Sequence, residues 1–584
     1  MKTILRNMDI ETKKIRIAIL GGGPSGLFAY KRLVESGETD FEIDIFERKA
    51  QLGSGMPYSA EGANDEHVTN VSDNEVPNMI STMSEWIHTA PKSLLERFQI
   101  DPDKFNEYKV VPRLLFGSFL AAQFDLLQKI GSDAGITTRI HFKSAVTDII
   151  YDEKKATVSI ETVHEIRKEF DYAIICTGHN WPIRYEGKIS GYFDAPYPPQ
   201  KLALKLNHPV AIKGSSLTAI DAIRTLARHN GTFERTSDGN LTYALSSESP
   251  EFKIVMHSRS GMLPAVRFHL DNSHLSNTSL LTEEEITAHR YNNDGFLSLD
   301  YLFEKDFKEI FREKDYEFYN RIKDFSIEDF VADMMELRER LDPFQLLKAE
   351  YIQAEKSIKR QESIYWKEML AVLSFAMNHP AKYLSAEDMQ RLQKVLMPLI
   401  SIVIAFVPQK SCEELLALHH AGVLDLVSVG ADSTVEPQKE GGILYNFTDE
   451  ANREHSVFYN TFVDCVGQPH LSYDDFPFKS LLSQKAISPA RLRFKSSKAG
   501  SDASKLDNDL IEQDAQGDYF LKVSGIAIND NFQIIDQYGA YNKNIYVMAV
   551  PYIGGLNPDY SGLDFCEASS LLIVNDILQQ CFVA

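Results

Sequence analysis

The stretch IRIAILGGGPSGLFAYKRLVESGETDFEIDIFE, residues 15–47, decides the fold. It reads as an apolar strand, a glycine-rich turn, a helix and a second apolar strand that ends in an acid, which predicts a βαβ unit. The spacing Gly21-x-Gly23-x-x-Gly26 falls between strand and helix, where dinucleotide binding requires it. The three glycines would allow a tight turn, close approach of the backbone to a pyrophosphate, and close packing of the helix.

The acid at the end of the second strand strengthens this interpretation. A pyrophosphate at the turn would lie at the positive end of the helix dipole. Glu47 is then placed to accept hydrogen bonds from the ribose of an adenosine. The alternative is that the glycines only make a tight turn, but the register of strand, helix and acid favours nucleotide binding.

A second unit of the same type begins at PVAIKG, residues 209–214, and continues through a helical stretch and the strand KIVMHS. Its turn fits the same motif at Gly214 and Ala219, but Ser216 stands where the second glycine should be. A side chain there would push the pyrophosphate outward or replace a backbone contact with a hydroxyl hydrogen bond. Ordinary strand-turn-helix geometry is the alternative explanation of this weaker motif.

The residues after the second unit's last strand indicate which dinucleotide binds there. The sequence His257-Ser-Arg259-Ser-Gly261 has no acid to hold a free ribose. Arginine with neighbouring hydroxyls favours the 2′-phosphate of NADP through charge-assisted hydrogen bonds. We therefore expect NADPH rather than NADH, with a solvated arginine on a turn as the alternative.

Composition excludes several classes of function. The net charge of −22 over 584 residues disfavours nucleic acid and anionic membranes as partners. The longest apolar run, Val395–Val407, has 13 residues and is too short to span a bilayer as a helix. Five scattered cysteines without a CxxC pair, and a start without a signal-like apolar core, suggest a reducing, cytoplasmic setting. No metal site is expected.

The pattern of amphipathic and β-like segments along the chain suggests how it is divided into domains. Long amphipathic segments between 271 and 400 predict a helical insertion, while short β-like runs precede and follow it. We expect an FAD-binding domain in two parts, 1–205 and 431–584, and an NAD(P)-binding domain from 206–270 and about 401–430. The predicted fold class is α/β, with two Rossmann-like dinucleotide-binding domains and a large helical insertion.

Local signals refine this division. Helix starts are predicted at Thr282, Ser326 and Ser385, each followed three residues later by an acid. The polar stretch Ser496–Asn508 is predicted to be a mobile loop.

Several runs carry a resemblance to a known family. GGGPSG, FERKAQLGSGMPYS, HVTNVS and VPRLLFGSFL resemble the FAD/NAD(P)-binding flavoproteins related to flavin N-hydroxylases and Baeyer–Villiger-type monooxygenases, and especially a bacterial subgroup of them. The resemblance covers roughly the first 270 residues well, the last 150 loosely and the helical insertion not at all. It implies FAD in the first site and NADPH in the second.

The resemblance also implies roles for single residues. Gly53, Gly55 and Tyr58 would form a second backbone approach to FAD, His67 and Asn70 would lie near the flavin ring, and Arg113 would face the flavin side. A salt-bridged arginine and a core histidine are the alternatives for Arg113 and His67. DYAIICTGHNWP, with Gly178, and FVDCVGQ resemble the two segments that cross between the domains.

One departure concerns the end of the FAD-binding domain. Relatives commonly follow the strand NIYVMAV with Gly-Asp, but here Ala549-Val550-Pro551 stands in that place. The contact would then come from backbone in 552–557 or from Asp564. The cofactor contacts expected from the sequence are Gly21, Gly23, Pro24, Ser25, Gly26, Glu47, Gly55, Tyr58, Asn70, Arg113, Gly178, Gly214, Ser216, Ala219, Arg259 and Asp564.

Three functions remain open at this stage. The first is a monooxygenase in which NADPH reduces FAD, the reduced flavin traps dioxygen as a C4a-hydroperoxide, and a small molecule such as an amine or amino acid is oxidised. The second is an oxygen-independent reductase or dehydrogenase; the lack of a CxxC pair disfavours a disulfide relay. The third is a flavin-binding regulatory protein without turnover. The sequence identifies no catalytic residue.

Overall fold

The computed structural model describes residues 14–164, 167–178, 181–270, 280–468, 471–506 and 509–582. Its first large sheet has six strands, all parallel to their neighbours except the edge strand 533–535. In spatial order the strands are Gln533–Ile535, Tyr541–Val547, Tyr172–Ile175, Ile15–Leu20, Phe41–Phe46 and Thr137–His141. The first strand lies in the middle, so its glycine turn opens at the centre of the sheet's carboxyl edge.

Three helices carry most of the apolar contact around this sheet: Pro24–Glu35, Arg113–Asp133 and Gly562–Phe582. Three small antiparallel sheets surround it; their strands are Val68–Ser72 with Val110–Pro112, Val146–Asp152 with Thr157–Thr162 and Arg167–Phe170, and Pro489–Arg493 with Ile511–Gln513 and Tyr519–Ile526. Shorter helices are Met83–Trp86, Lys92–Phe98, Lys479–Ser483 and Val550–Ile553.

The second large sheet is wholly parallel and has five strands. In spatial order they are Tyr192–Phe193, Thr461–Asp464, Pro209–Lys213, Lys253–Ser258 and Leu424–Ser428. Helices Leu217–Asn230 and Gln409–His420 pack on it, a hairpin joins Gly231–Arg235 to Leu241–Leu245, and an antiparallel sheet of Thr434–Pro437, Ile443–Thr448 and Glu454–Tyr459 lies beside it.

The predicted fold class is confirmed, because two parallel sheets with glycine turns flank a helical region. The domain boundaries need correction. Strand Tyr192–Phe193 lies before the expected start at 206, and strand Thr461–Asp464 lies beyond the expected end near 430; both belong to the second sheet. A sequence pattern can reveal a short strand but does not show which strands lie beside it. In the structure, strand 461–464 pairs in parallel with Pro209–Lys213.

The helical middle unit, residues 280–404 in the described part, contains nine α-helices. They are Glu283–Tyr291, Leu299–Asp306, Phe311–Lys314, Tyr316–Ile322, Ile327–Arg340, Pro343–Arg360, Tyr365–Ala376, Ala386–Arg391 and Met397–Val403. The helix starts expected at Thr282, Ser326 and Ser385 are confirmed, since each side chain accepts the N–H three residues on. In the part of the chain that the structure describes, no helix is both long and apolar enough to cross a membrane.

The prediction of a mobile loop at 496–508 is wrong for its described part. Residues Ser497–Leu506 form a helix, and 507–508 lie outside the described residues. Gly500 packs so closely on Tyr519 that a Cβ would lie 2.3 Å from the tyrosine Cβ. Ala499 and Ala503 also pack against the core. Small residues four apart form the buried stripe of this helix, and the polar composition conceals that stripe.

Candidate functional site

The first glycine turn is shaped by contact with the neighbouring strand. Gly21 has φ +112°, and a Cβ on it would lie 2.5 Å from the carbonyl oxygen of Cys176. A Cβ on Gly26 would lie 2.1 Å from the carbonyl oxygen of Gly21, so the helix packs directly on the turn. Any side chain at either position would force the backbone apart. Pro24 begins the helix, where its missing N–H costs nothing.

A second loop faces this turn. A Cβ on Gly23 would lie 3.2 Å from the Cα of Gly55, and Gly55 itself has φ +57°. Gly53, with φ +86°, lies against the carbonyl oxygen of Leu120. Gly23 has an ordinary extended backbone, with φ −78° and ψ −163°. It is therefore the facing loop, not the backbone torsion, that requires glycine at position 23.

Glu47 lies at the turn as the sequence predicts. It is buried, and its carboxylate accepts the N–H of Gly22 at 2.8 Å and the N–H of Lys49 at 2.8 Å. Both bonds fix the acid at the end of strand Phe41–Phe46. Because a carboxylate oxygen can accept more than one hydrogen bond, these two bonds leave Glu47 able to accept from a ribose as well. Ribose binding by Glu47 remains a prediction.

The last helix begins beside the first. The Ser25 hydroxyl lies 3.5 Å from the Sγ of Cys566, in the second turn of helix Gly562–Phe582. Asp564 is half-buried in the first turn of that helix. Two helix N-termini, one from each end of the chain, thus converge on the glycine turn, and each carries partial positive charge.

Tyr58 follows the loop that faces this turn. Burial raises the pKa of its hydroxyl to about 12, although Arg113 opposes the shift. Its ring meets Phe116 edge to face, with centroids 4.9 Å apart. The residue keeps partial exposure and is therefore not part of a closed core.

The second glycine turn repeats the first in its backbone. Gly214 has φ +113°, and a Cβ on it would lie 2.8 Å from the carbonyl oxygen of Cys465. Ser216 has φ −92° and ψ −167°, almost the torsions of Gly23, but it is exposed. A serine is therefore compatible with this turn. Ala219 is buried, at the position of Gly26 in the first turn.

The residues expected to select NADP lie at the end of the neighbouring strand. The Ser258 hydroxyl accepts the N–H of Gly261 at 3.0 Å and closes the turn. The Ser215 hydroxyl donates to the carbonyl oxygen of Met262 at 2.7 Å, which ties this turn to the glycine turn. Arg259 is exposed at the same edge of the sheet. Its selective role remains a prediction.

A buried ion pair joins the two domains. Arg113 donates to the Asp221 carboxylate at 2.6 Å, and the Tyr197 hydroxyl donates to the same oxygen at 2.7 Å. Burial raises the pKa of Asp221, but the charge of Arg113 and the hydrogen bonds from Arg113 and Tyr197 outweigh it and leave the pKa below its usual value. Arg113 belongs to the first domain and Asp221 to the first turns of helix Leu217–Asn230. We call this pair, with Tyr197, the interdomain ion pair.

His67 adds a second set of bonds between the same two domains. Its Nδ1 accepts the N–H of Asn64, so in the neutral ring Nε2 donates, and the Asp221 carbonyl oxygen accepts at 3.1 Å. Thr225, one turn further along the helix, donates to Glu66 at 2.6 Å. His67 is fully buried, and burial lowers its pKa. These contacts favour the core histidine over a flavin contact.

The other expected contacts lie apart from the two turns or are only loosely constrained. Gly178 is exposed, and a Cβ on it would meet nothing within 4 Å. Asn70 is exposed and offers its carbonyl oxygen to Arg267. Sequence reasoning missed Asp221 and Tyr197 as partners of Arg113; an acid on the apolar face of a helix was the available signal for Asp221. Among the described residues, no group of three or more His, Cys, Asp or Glu could hold a metal ion.

Comparisons with known proteins agree with this geometry. Residues 18–180 match the family model described as FAD-NAD(P)-binding. The chain contains an FAD-NAD(P)-binding domain. This match agrees with the FAD and NAD(P) cofactors expected from the sequence. Residues 282–404 match a second model, the YdhS-like middle domain, which coincides with the helical middle unit.

Individual relatives cover most of the chain. The uncharacterized protein YdhS of Escherichia coli strain K12 is 26% identical over 471 residues, which is 80% of this chain and 86% of the relative. Among solved structures, the ornithine N-hydroxylase KtzI of Kutzneria sp. 744 is 13% identical with a TM-score of 0.45, covering 97% of this chain and 99% of that one. L-Lysine 6-monooxygenase from Pseudomonas syringae is 12% identical with a TM-score of 0.45, covering 97% and 100%.

Proposed function

We propose that the protein is an FAD-dependent monooxygenase that takes its electrons from NADPH and oxidises a small molecule such as an amine or amino acid. One observation carries this proposal. Two glycine turns with nearly identical torsions, φ +112° at Gly21 and φ +113° at Gly214, each follow a parallel strand and begin a helix. A chain with two such turns can hold two dinucleotides, one to receive electrons and one to supply them.

Residues at the first turn fit the cofactor. Gly23 and Gly55 present backbone without side chains at this turn, while the N-termini of helices 24–35 and 562–582 supply positive charge for a pyrophosphate. Glu47 would hold the adenosine ribose. When bound, FAD supplies hydride acceptance and oxygen activation, and the protein supplies orientation and exclusion of water.

Residues at the second turn fit a donor nucleotide. Ser216 is exposed at the start of helix Leu217–Asn230, where a phosphate would be received, and Arg259 is exposed at the adjoining strand end. Arg113 and Asp221 would keep this turn at a fixed distance from the first. The choice of NADPH over NADH rests on the charge of Arg259.

The arrangement of thiols supports oxygen as the acceptor over a disulfide. The five cysteines are free thiols, and four of them are buried. Burial raises the pKa of Cys566 to about 12 and also raises that of Cys176. Such thiols are poor nucleophiles at neutral pH and cannot relay electrons to an exposed disulfide.

Oxygen consumption tests the proposal. FAD-loaded enzyme would be mixed with NADPH in air, with and without a panel of amines and amino acids, while oxygen, NADPH and hydrogen peroxide are followed together. A monooxygenase consumes oxygen and NADPH in equal amounts and forms less peroxide when its substrate is present. NADPH oxidation that proceeds equally well with an artificial electron acceptor, and shows no response to any substrate in oxygen use or peroxide yield, would indicate a reductase instead.

A further inference from the structure

A carboxylate lies where the middle unit meets the FAD-binding domain. Asn378, just after helix Tyr365–Ala376, holds the loop that precedes the last helix: the side chain of Asn557 donates to its carbonyl oxygen at 2.8 Å, and the N–H of Asp559 donates to its Oδ1 at 2.7 Å. Ser374, on the helix itself, donates its hydroxyl to the Asp559 carboxylate. Three hydrogen bonds therefore attach this loop to the middle unit.

This loop connects two segments of the chain that pack near the first glycine turn. It follows strand Tyr541–Val547, whose end is held by the N–H of Met548 donating to Ile175 at 2.8 Å. It leads into the last helix, where Cys566 lies beside Ser25 of the glycine turn. Asp559 is thus separated by seven residues of chain from a contact with the FAD-binding turn.

Asp559 lies deep in the molecule but is not sealed from solvent. Burial raises its pKa to about 6, and the hydrogen bond from Ser374 opposes the shift only in part. The residue nevertheless keeps partial exposure. Asp559 is therefore surrounded by protein but keeps a solvent-accessible surface.

The carboxylate has no cation of its own in the described part of the chain. Its pKa responds to burial and to Ser374, and to no lysine, arginine or histidine. Two other buried acids have a cation partner: Asp221 with Arg113, and Glu414 with Arg224 at 2.7 Å. Because an unpaired buried charge is costly, an unpaired acid that keeps access to solvent is a candidate for binding a positively charged ligand.

A second acceptor lies next to it. Asn557 is 1% exposed, and no group among the described residues donates to its Oδ1. Its amide nitrogen is already used by Asn378, so its orientation is fixed. A buried acceptor without a donor is rare in folded proteins, because it loses the hydrogen bonds that water would give it. The group that would satisfy both acceptors must carry several N–H donors and a positive charge.

We propose that Asp559 and Asn557, with Ser374 orienting the carboxylate, bind a protonated amine of the substrate at the junction between the middle unit and the FAD-binding domain. This assignment rests on the proposed function, because the amine is taken to belong to the small molecule that the enzyme oxidises. The assignment adds that this molecule has a basic nitrogen. It also gives the middle unit a role: helix Tyr365–Ala376 completes the substrate site.

Binding to the oxidised enzyme tests this assignment without turnover. FAD-loaded protein, without NADPH, would be titrated with 1-aminobutane, 1-aminopentane and 1-aminohexane, and with the matching alcohols, by calorimetry and by flavin absorbance. We expect amines to bind at least about tenfold more tightly than alcohols, and Asp559→Asn to abolish that difference, because only the protonated amine makes a charge-assisted hydrogen bond with the carboxylate. Asparagine can still accept from Ser374, so the loop is retained.

Asp306 provides a matched control. It is also a buried acid whose pKa burial raises to about 6, and it accepts the N–H of Leu281 at 2.7 Å, within the middle unit. Asp306→Asn removes an equivalent buried charge and should leave the preference for amines unchanged. Because both acids have a folded pKa above the ordinary value of 3.8, each variant should raise the melting temperature at pH 8 and not at pH 4.

Two results would overturn the assignment: wild-type enzyme that binds amines no better than alcohols, or Asp559→Asn that retains the preference. If Asp559→Asn fails to fold, Ser374→Ala serves in its place, with a smaller loss of the preference expected. Failure of the proposed function is a separate result, because it would show as absent reduction by NADPH while amine binding persists.

Discussion

The two glycine turns of this protein have the same backbone but different surroundings. Gly21 and Gly214 share their torsions, and each rests on the carbonyl oxygen of a cysteine that ends a neighbouring strand. Gly23 is faced by the loop at Gly55, whereas its counterpart Ser216 is exposed. The first turn is therefore enclosed on the side where the second is open.

This difference suggests a division of labour. An enclosed site suits a cofactor that stays bound through many turnovers, and an open one suits a nucleotide that enters and leaves in each cycle. The serine that departs from the glycine motif then need not mark a lost site. It occupies a position where nothing demands glycine.

The largest expected effect concerns the helix contact of the enclosed turn. In Gly26→Ala the new Cβ would meet the Gly21 carbonyl oxygen at 2.1 Å. We expect purified protein with little bound FAD and an unfolding free energy lowered by about 1–3 kcal/mol, as overpacking usually costs. The ratio of flavin to protein absorbance measures the first effect. The control is Ala219→Gly, the reverse exchange at the corresponding position of the second turn, and it should leave the FAD content unchanged. Equal flavin content in the two variants would contradict the distinction between the turns.

Acid should weaken the second domain through His257. This residue is 1% exposed and stacks on Tyr445 with centroids 4.1 Å apart, and burial lowers its pKa to about 4. A histidine kept neutral by folding stabilises the protein above pH 6.5, and that contribution, about 3 kcal/mol, is lost as the pH falls toward 4. Urea unfolding at pH 7.5 and 4.5 measures it. His257→Phe should show a smaller difference between the two pH values; an unchanged difference would assign the acid sensitivity to other groups.

The interdomain ion pair should have an intermediate effect. Asp221→Asn keeps hydrogen-bond acceptors for Arg113 and Tyr197 but leaves the buried guanidinium without its counter-charge. We expect the unfolding free energy to fall by about 1–3 kcal/mol. We also expect slower reduction of the flavin at saturating NADPH, while FAD content is unchanged, because the domains are less firmly placed.

A surface pair provides the control for this prediction. Asp425 contacts Lys253 at 2.5 Å, and the two residues lie on neighbouring strands of the second large sheet. Both side chains are more than a third exposed. Asp425→Asn should change stability by less than about 1 kcal/mol and should not alter the reduction rate. A similar loss of stability and of reduction rate in both variants would mean that the interdomain ion pair contributes no more than an exposed ion pair does.

The smallest effect is expected at the exposed serine. Ser216→Gly should change the Kd for NADPH by less than about threefold, since only a weak hydroxyl contact is removed. The reciprocal change, Gly23→Ser, should weaken FAD binding clearly, because the Cβ would lie 3.2 Å from the Cα of Gly55. Equilibrium titration with each nucleotide measures both constants. A large loss at Ser216 would show that its hydroxyl is a main phosphate ligand.

The sequence predicted the local parts of this structure and missed the distant ones. The turn at Gly21–Gly26, the acid Glu47 and the unusual Ser216 could be identified because strand, turn and helix are adjacent in the chain. The interdomain ion pair could not, since Arg113 and Asp221 are 108 residues apart and meet only when two domains pack. Strand Thr461–Asp464 was assigned to the wrong domain for the same reason: a short apolar run carries no information about its neighbours.

Anaerobic reduction of the flavin tests the central claim most directly. FAD-loaded protein without substrate would be mixed with NADPH and, separately, with NADH, while flavin absorbance is followed in a stopped-flow instrument. The two-site account predicts rapid bleaching by NADPH and slow bleaching by NADH, and a loss of this preference in Arg259→Ala. Absence of bleaching with either nucleotide would contradict it and would mean that the turn at Gly214 does not deliver hydride to the flavin.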